Sequence, residues 1–360
     1  MTASATAKDY LDSPDYLAYK FNFSTENIEF LPVRKSEIRR ANSLSREFIG
    51  SDRPLIPVPL AELAPLLDPS SRQLQDNPPR FVFHTAFCSS TFISRCLDVD
   101  GISIGLREPQ LLLDAANAKR LQWRSQTTPL DHRDWPRLAL QLLGKHAGPA
   151  GKLVIKPINS VNNIISELLQ ITGTGRSLML YTDARNFLLS TLKKGEEAKF
   201  TVRAMFDLTR CDFPHLANLR LSDTIHMTDI KVILTLWRLQ IEQAEQALQQ
   251  FSAANRMASV YGERLIDDPR NTLQSANRFL QLGIQASQID DIATGDHRFS
   301  DAKNTGQAFS TATREKAYVR VEKYYGTELD NALNWLFQNN PGTRLEPRLS
   351  GALPAENGPE

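Results

Sequence analysis

The sequence predicts an α/β fold built on a doubly wound parallel sheet flanked by helices. Three observations predict it. Short apolar runs of strand length alternate with helical segments from residue 80 onward. Two of those runs stop at a charged residue followed by proline, Arg107-Glu108-Pro109 and Lys156-Pro157. That punctuation sets charged side chains at the carboxyl ends of strands, the edge where open parallel sheets hold ligands. The first run, Phe81-Val82-Phe83, opens into a loop of small and hydroxylated residues that leads straight into a helix.

Before that core lies an arm. Residues 1–20 are polar and read as loose. Ser36 to Phe48 reads as a helix bearing Arg39, Arg40 and Arg46; such a basic face is ordinarily solvated. Residues 51–80 combine Pro-rich turns with a short helix, Leu60 to Leu67. Residues 1–79 are therefore expected to form a mostly helical N-terminal arm or cap.

The core begins at the Pro78-Pro79 pair. The first strand ends at His84. Thr85, Ala86, Cys88, Ser89, Ser90 and Thr91 make the loop, and Phe92, Ile93, Cys96 and Leu97 recur at helical spacing. Free backbone N–H groups and hydroxyls at a helix entrance suit a phosphate or sulfate; the same residues also serve as ordinary helix caps. No Gly or Lys stands in the loop, so it is not the common phosphate-binding pattern.

Residues 101–106 read as the second strand and 152–155 as the third. Residues 177–181 read as the fourth, with Phe187 to Lys194 as its helix. Met227 to Phe251 is a long amphipathic helix whose apolar stripe reads as core packing. Residues 257–261 read as a fifth strand, Asn271 to Leu282 as a helix, and Gly283 is placed to end it. The core is expected to run over 80–338, and 339–360 to be a disordered tail.

Composition sets bounds. The chain has 360 residues, 41% hydrophobic and 23% charged, with a net charge of +1. That balance suits one large or two small domains and gives no broad electrostatic reason to expect nucleic acid. Cys88, Cys96 and Cys211 cannot all pair, which fits a reducing compartment. The first residues lack the apolar stretch of a signal peptide, and no run reaches membrane-spanning length, so a cytoplasmic protein is expected. His and Cys show no ligand spacing, so no metal is expected.

Several segments, in order, resemble the sulfotransferases that use 3′-phosphoadenosine-5′-phosphosulfate, especially bacterial and glycan-modifying types. Ala86 to Ile93 resembles their phosphosulfate loop. Leu180 to Ser190 resembles their 3′-phosphate segment. Ser259 to Ile284 resembles their later Tyr-Glu-Asp-Leu and Phe-Leu-Gly-Ile stretches. The matches span roughly 80–310. The resemblance implies a P-loop NTPase-like sheet, the nucleotide as sulfuryl donor, and a small-molecule or glycan acceptor. Two positions depart from it. Phe87 stands where the family carries its loop cation, and Thr182 where it carries the first Arg of the 3′-phosphate segment.

Roles follow from the resemblance and the chemistry of the transfer. Phe87, Cys88, Ser89, Ser90, Thr91 and Phe92 would line the donor's sulfate, with backbone N–H groups supplying hydrogen bonds. Cys88 reads as a small loop residue or as a nucleophile with a lowered pKa. Glu108 would be the base for the acceptor, or the partner of an ion pair with Arg107 or Lys156. Lys156 would stabilise the leaving phosphate, or stand as a strand-end lysine. His84 would donate to an anion or act as a base, or be a satisfied buried ring. Arg185 and Ser190 would hold the 3′-phosphate. His297 and Lys303, with Arg298, fall where the family folds a late basic loop over the nucleotide. The expected function is sulfuryl transfer to a hydroxyl or amine. A catalytically silent nucleotide- or protein-binding member of the same fold stands as the alternative, and a nucleotide-dependent phosphotransferase comes third.

Overall fold

A computed structural model describes residues 6–45, 53–68, 70, 72–148, 151–219, 221–294, 311–339 and 348–353. The expected sites His297 and Lys303, with Arg298, lie outside these.

The chain forms two compact units. Residues 1–82, 94–177 and 280–284 make the first, and 83–93, 178–279 and 285–360 the second.

The first unit corrects the reading of the arm. Residues 7–12 are a helix, closed by a capping box between Thr6 and Asp9. A three-stranded antiparallel sheet follows: β1 (Tyr16–Asn22), β2 (Asn27–Pro32) and β3 (Ile56–Pro59), in that order. β3 carries Pro57 and Pro59, which an edge strand tolerates because one side needs no donors. Leu17, Ala18 and Tyr19 are buried, so residues 16–20 are ordered core and not loose. Two distant partners hold this sheet. Asp114 Oδ2 accepts from the Phe21 N–H at 2.8 Å. Buried Glu26 accepts from the Gln126 N–H at 2.6 Å and the Ser125 hydroxyl at 2.8 Å. Phe21 stacks on Trp135 with ring centroids 4.0 Å apart.

The basic helix is shorter than expected, Lys35–Arg40. Ala41 turns to extended backbone, and the Leu44 N–H donates to the Arg107 carbonyl at 2.6 Å. That bond lays the following segment along a strand end, where a continued helix would leave the carbonyl unpaired.

The main sheet has β4 (Arg80–His84), β5 (Ser103–Arg107), β6 (Lys152–Lys156), β7 (Ser177–Tyr181) and β8 (Met257–Tyr261), ordered β5-β6-β4-β7-β8. β6 pairs parallel with both β4 and β5. Strands buried on both faces need unbroken apolar runs, which is how Phe81-Val82-Phe83 and Leu178-Met179-Leu180 read. This is the expected doubly wound α/β class. β4, first of the five in the chain, sits in the middle of the order. The loop leaving its carboxyl end emerges where strand order reverses, the position such sheets give to ligands.

In the second unit the amphipathic helix is Asp229–Phe251, with Ile233, Leu234, Trp237, Ile241, Ala244 and Leu248 buried as core. The helix after β8 spans Pro269–Leu280. Gln281, at φ 56°, takes the left-handed residue just past it, ahead of the expected Gly283, whose φ is 80°. Within the expected tail, residues 348–353 pack on the sheet: the Leu353 N–H donates to the Ser259 carbonyl at 2.9 Å, and Leu349 and Leu353 are buried.

Candidate functional site

The loop after β4 is shaped by strain and by close neighbours. The Thr85 N–H donates to the Leu180 carbonyl at 3.0 Å, extending the sheet one residue beyond the strand. Ala86, Phe87 and Ser89 then take left-handed backbone, with φ of 64°, 51° and 63°. Glycine is the usual occupant of such positions, and another residue costs about 1–2 kcal/mol each. His84 is buried, and its Nδ1 accepts from the Ala86 N–H at 3.0 Å. A bare Nδ1 puts the neutral ring's proton on Nε2. The ring thus braces the loop's first left-handed residue.

Three contacts hold the rest. The Phe87 ring meets Phe187 edge-on at 5.2 Å. The Lys194 ammonium lies 4.8 Å from the Phe87 centroid. Cys88 is buried, and its carbonyl oxygen lies 2.7 Å from where a Cβ on Gly262 would stand. Residue 262 must be glycine for the loop to keep this path. Ser90 is buried, Ser89, Thr91 and Phe92 are half-buried, and the helix Ser90–Cys96 follows.

The segment after β7 is organised by Asp183. Its side chain caps the Ala184–Leu192 helix, Oδ1 accepting from the Asn186 N–H at 2.7 Å. Oδ2 accepts from the Tyr261 hydroxyl at 2.6 Å. Burial, and then that bond, push the Tyr261 phenol well above its ordinary pKa, so it stays a donor. Thr182 is fully buried, and its carbonyl accepts from the Trp237 indole at 2.9 Å. The hydroxyls of Thr85 and Thr182 are buried with no hydrogen-bond partner.

Ser190 and Arg185 lie on that same helix and meet the helix Thr311–Asn339. Ser190 Oγ is 2.5 Å from Tyr318 Oη. Arg185 is exposed and pairs with Glu322 at 2.8 Å and Asp330 at 3.7 Å. Arg314 donates to Tyr318 Oη at 3.0 Å and to Glu263 at 2.6 Å.

Glu108 and Lys156 lie in the first unit. Lys156 is 1% exposed and its ammonium is 2.5 Å from Glu108 Oε1. The Glu108 N–H donates to the Lys156 carbonyl at 2.6 Å, and Glu108 itself is left-handed, at φ 53°. Of the two ion-pair partners open to Glu108, the structure selects Lys156. Arg107 is turned elsewhere: its guanidinium, fully buried, donates to Asp98 and to the carbonyls of Ile38, Arg39 and Ala41.

Sequence reasoning missed Asp183, Tyr261, Glu263, Arg314 and Tyr318. Asp183 was legible as a cap, an acid three residues before Asn186. Arg314 and Tyr318 are four apart on one helix and so share a face. Nothing in the sequence says which strand end that face meets. Among the described residues no cluster of three or more His, Cys, Asp or Glu stands together. None of their helices is long and apolar enough to cross a membrane.

No family model and no curated protein matches the chain. Among solved structures it is similar to the sulfotransferase domain from the curacin biosynthetic pathway, at 13% identity, covering 69% of this chain and 98% of that one, with a TM-score of 0.44. It is similar to a mouse sulfotransferase solved with PAP, at 11% identity, 74% and 85% coverage and a TM-score of 0.37. A sulfotransferase of Mycobacterium avium gives 13%, 71%, 81% and 0.36. The fold of this chain rests on its own strand order.

Proposed function

We propose that the chain binds 3′-phosphoadenosine-5′-phosphosulfate and moves its sulfuryl group to a hydroxyl or amine of a small-molecule or glycan acceptor. The observation that carries this reading is the loop at 86–89. Three non-glycine residues are held left-handed there, at the reversal of strand order. Strain of that kind persists where the surroundings enforce it, and it concentrates at binding sites. Successive N–H groups in such a backbone converge on an anion.

In the proposed step the acceptor's lone pair forms a bond to sulfur as the bond from sulfur to the 5′-phosphate oxygen breaks. The electron pair leaves with the phosphate, and the acceptor's proton passes to a base. Loop N–H groups from Cys88 to Thr91 would hold the sulfate oxygens, Ser190 and Arg185 the 3′-phosphate, Glu108 the proton, and Lys156 the leaving charge. Two observations favour the silent alternative: Glu108 is already paired with Lys156, and Phe87 brings no charge to the loop.

Calorimetric titration with 3′-phosphoadenosine-5′-phosphate, with ATP as control, tests the reading. Micromolar binding to the bisphosphate and little to ATP is expected. Equal or absent binding of both would remove the donor site. Bisphosphate binding without turnover of the donor, across hydroxyl and amine acceptors, would favour the silent member.

A further inference from the structure

Thr182 leaves the 3′-phosphate segment without its first cation, and Arg185 is drawn to Glu322 and Asp330. Two other cations of the second unit stand around the hydroxyl partner of Ser190. Ser190 Oγ touches Tyr318 Oη at 2.5 Å. Arg314 Nε donates to that same phenol oxygen at 3.0 Å, and its guanidinium lies 4.9 Å from the Tyr318 ring centroid. The Lys193 ammonium lies 5.0 Å from the ring. Arg314 is 11% exposed and held from behind by Glu263 at 2.6 Å. Tyr318 therefore has Arg314 on its hydroxyl and Lys193 over its ring, with Glu263 holding Arg314, beside the residue expected to touch a phosphate.

We infer that Arg314 and Tyr318, with Lys193, form the phosphomonoester subsite around Ser190, replacing the cation that Thr182 lacks. The inference rests on the donor reading above. The ligand chemistry is a dianionic phosphate monoester. A planar guanidinium fixed by a carboxylate offers its remaining N–H groups in a set direction. Tyr318 would turn its hydroxyl from Ser190 to the phosphate, which frees the serine to do the same.

The test compares two probes, 3′-phosphoadenosine-5′-phosphate and adenosine-5′-phosphate, which differ only in the 3′-phosphate. The wild-type chain is expected to prefer the bisphosphate. Arg314→Gln is expected to lower bisphosphate affinity roughly tenfold or more while leaving monophosphate affinity unchanged, the loss of a charged hydrogen bond. Tyr318→Phe, which removes one oxygen and keeps the ring, is expected to erode the same preference and guards against misfolding of the Arg314 variant. A wild-type chain that binds neither probe better overturns the donor reading itself. A wild-type preference that both variants keep, or that only Arg185→Ala abolishes, overturns this subsite alone. A parallel loss for both probes would assign Arg314 to structure and likewise overturn it.

Discussion

The ion pair of Glu108 and Lys156 is asymmetric, and the asymmetry sets what each substitution costs. Lys156 is 1% exposed and Glu108 17%. Removing the carboxylate strands a charge that water cannot reach, whereas removing the ammonium strands one that is partly wetted. Breaking a buried pair by deleting one partner costs about 3–5 kcal/mol. Glu108→Gln is expected to fall near the low end of that range, and Lys156→Met to cost clearly less. Urea unfolding of both variants, at one pH, checks the order; a reversed order would contradict the burial argument. The left-handed backbone at Glu108 adds a second point. Glu108→Gly is expected to recover part of the loss, because glycine alone is unstrained there.

At the scale of elements, the loop at 84–91 depends on β8 and on the helix Gly262–Asp267 that follows it. A Cβ at residue 262 would stand 2.7 Å from the Cys88 carbonyl oxygen and 3.0 Å from its carbon. Both are backbone atoms and cannot swing aside. Gly262→Ala is expected to displace the loop and to weaken bisphosphate binding roughly tenfold or more, as loop donors lose alignment. Calorimetry on the variant measures it, and an unchanged affinity would place the ligand elsewhere.

The element scale also shows what the sequence made legible. The five core strands were readable because a strand buried on both faces must be apolar throughout, as residues 81–83 and 178–180 are. The small sheet of β1 to β3 was not, because its ordering comes from the pairs Phe21–Asp114, Glu26–Gln126 and Phe21–Trp135, which are 93, 100 and 114 residues apart. The loop's residue types read equally as an anion cradle or as helix caps, and its left-handed backbone was hidden, since no glycine marks it. The resemblance put Ser190 forward as an expectation, whereas Arg314 and Tyr318 were reachable only through the packing of a late helix.

For the whole molecule, pH is the sharpest lever. Burial pulls the Lys145 ammonium down to about 7 and the His146 ring down to about 3. Lys145 donates to the Tyr10 carbonyl at 2.5 Å and lies 5.2 Å from the Phe30 ring, so it anchors the N-terminal segment. Both groups bind protons more weakly folded than unfolded. The unfolded chain therefore holds the extra proton between each folded pKa and its ordinary value, and stability rises with pH across that window. For Lys145 the window runs from about 7 to 10.5, and for His146 from about 3 to 6.5. Urea midpoints are expected to climb between pH 7 and 10, and Lys145→Met to flatten that climb. An equal climb in the variant would assign it to other groups.

The close approach of Gly262 to Cys88 also bears on the order in which the molecule is made. The loop leaves the ribosome long before residue 262 does. Until β8 has docked, the loop lacks its approach to residue 262 and keeps only the contacts from His84, Leu180, Phe187 and Lys194. The final path of the loop is thus expected to be among the last features to mature, once synthesis has passed the fifth strand.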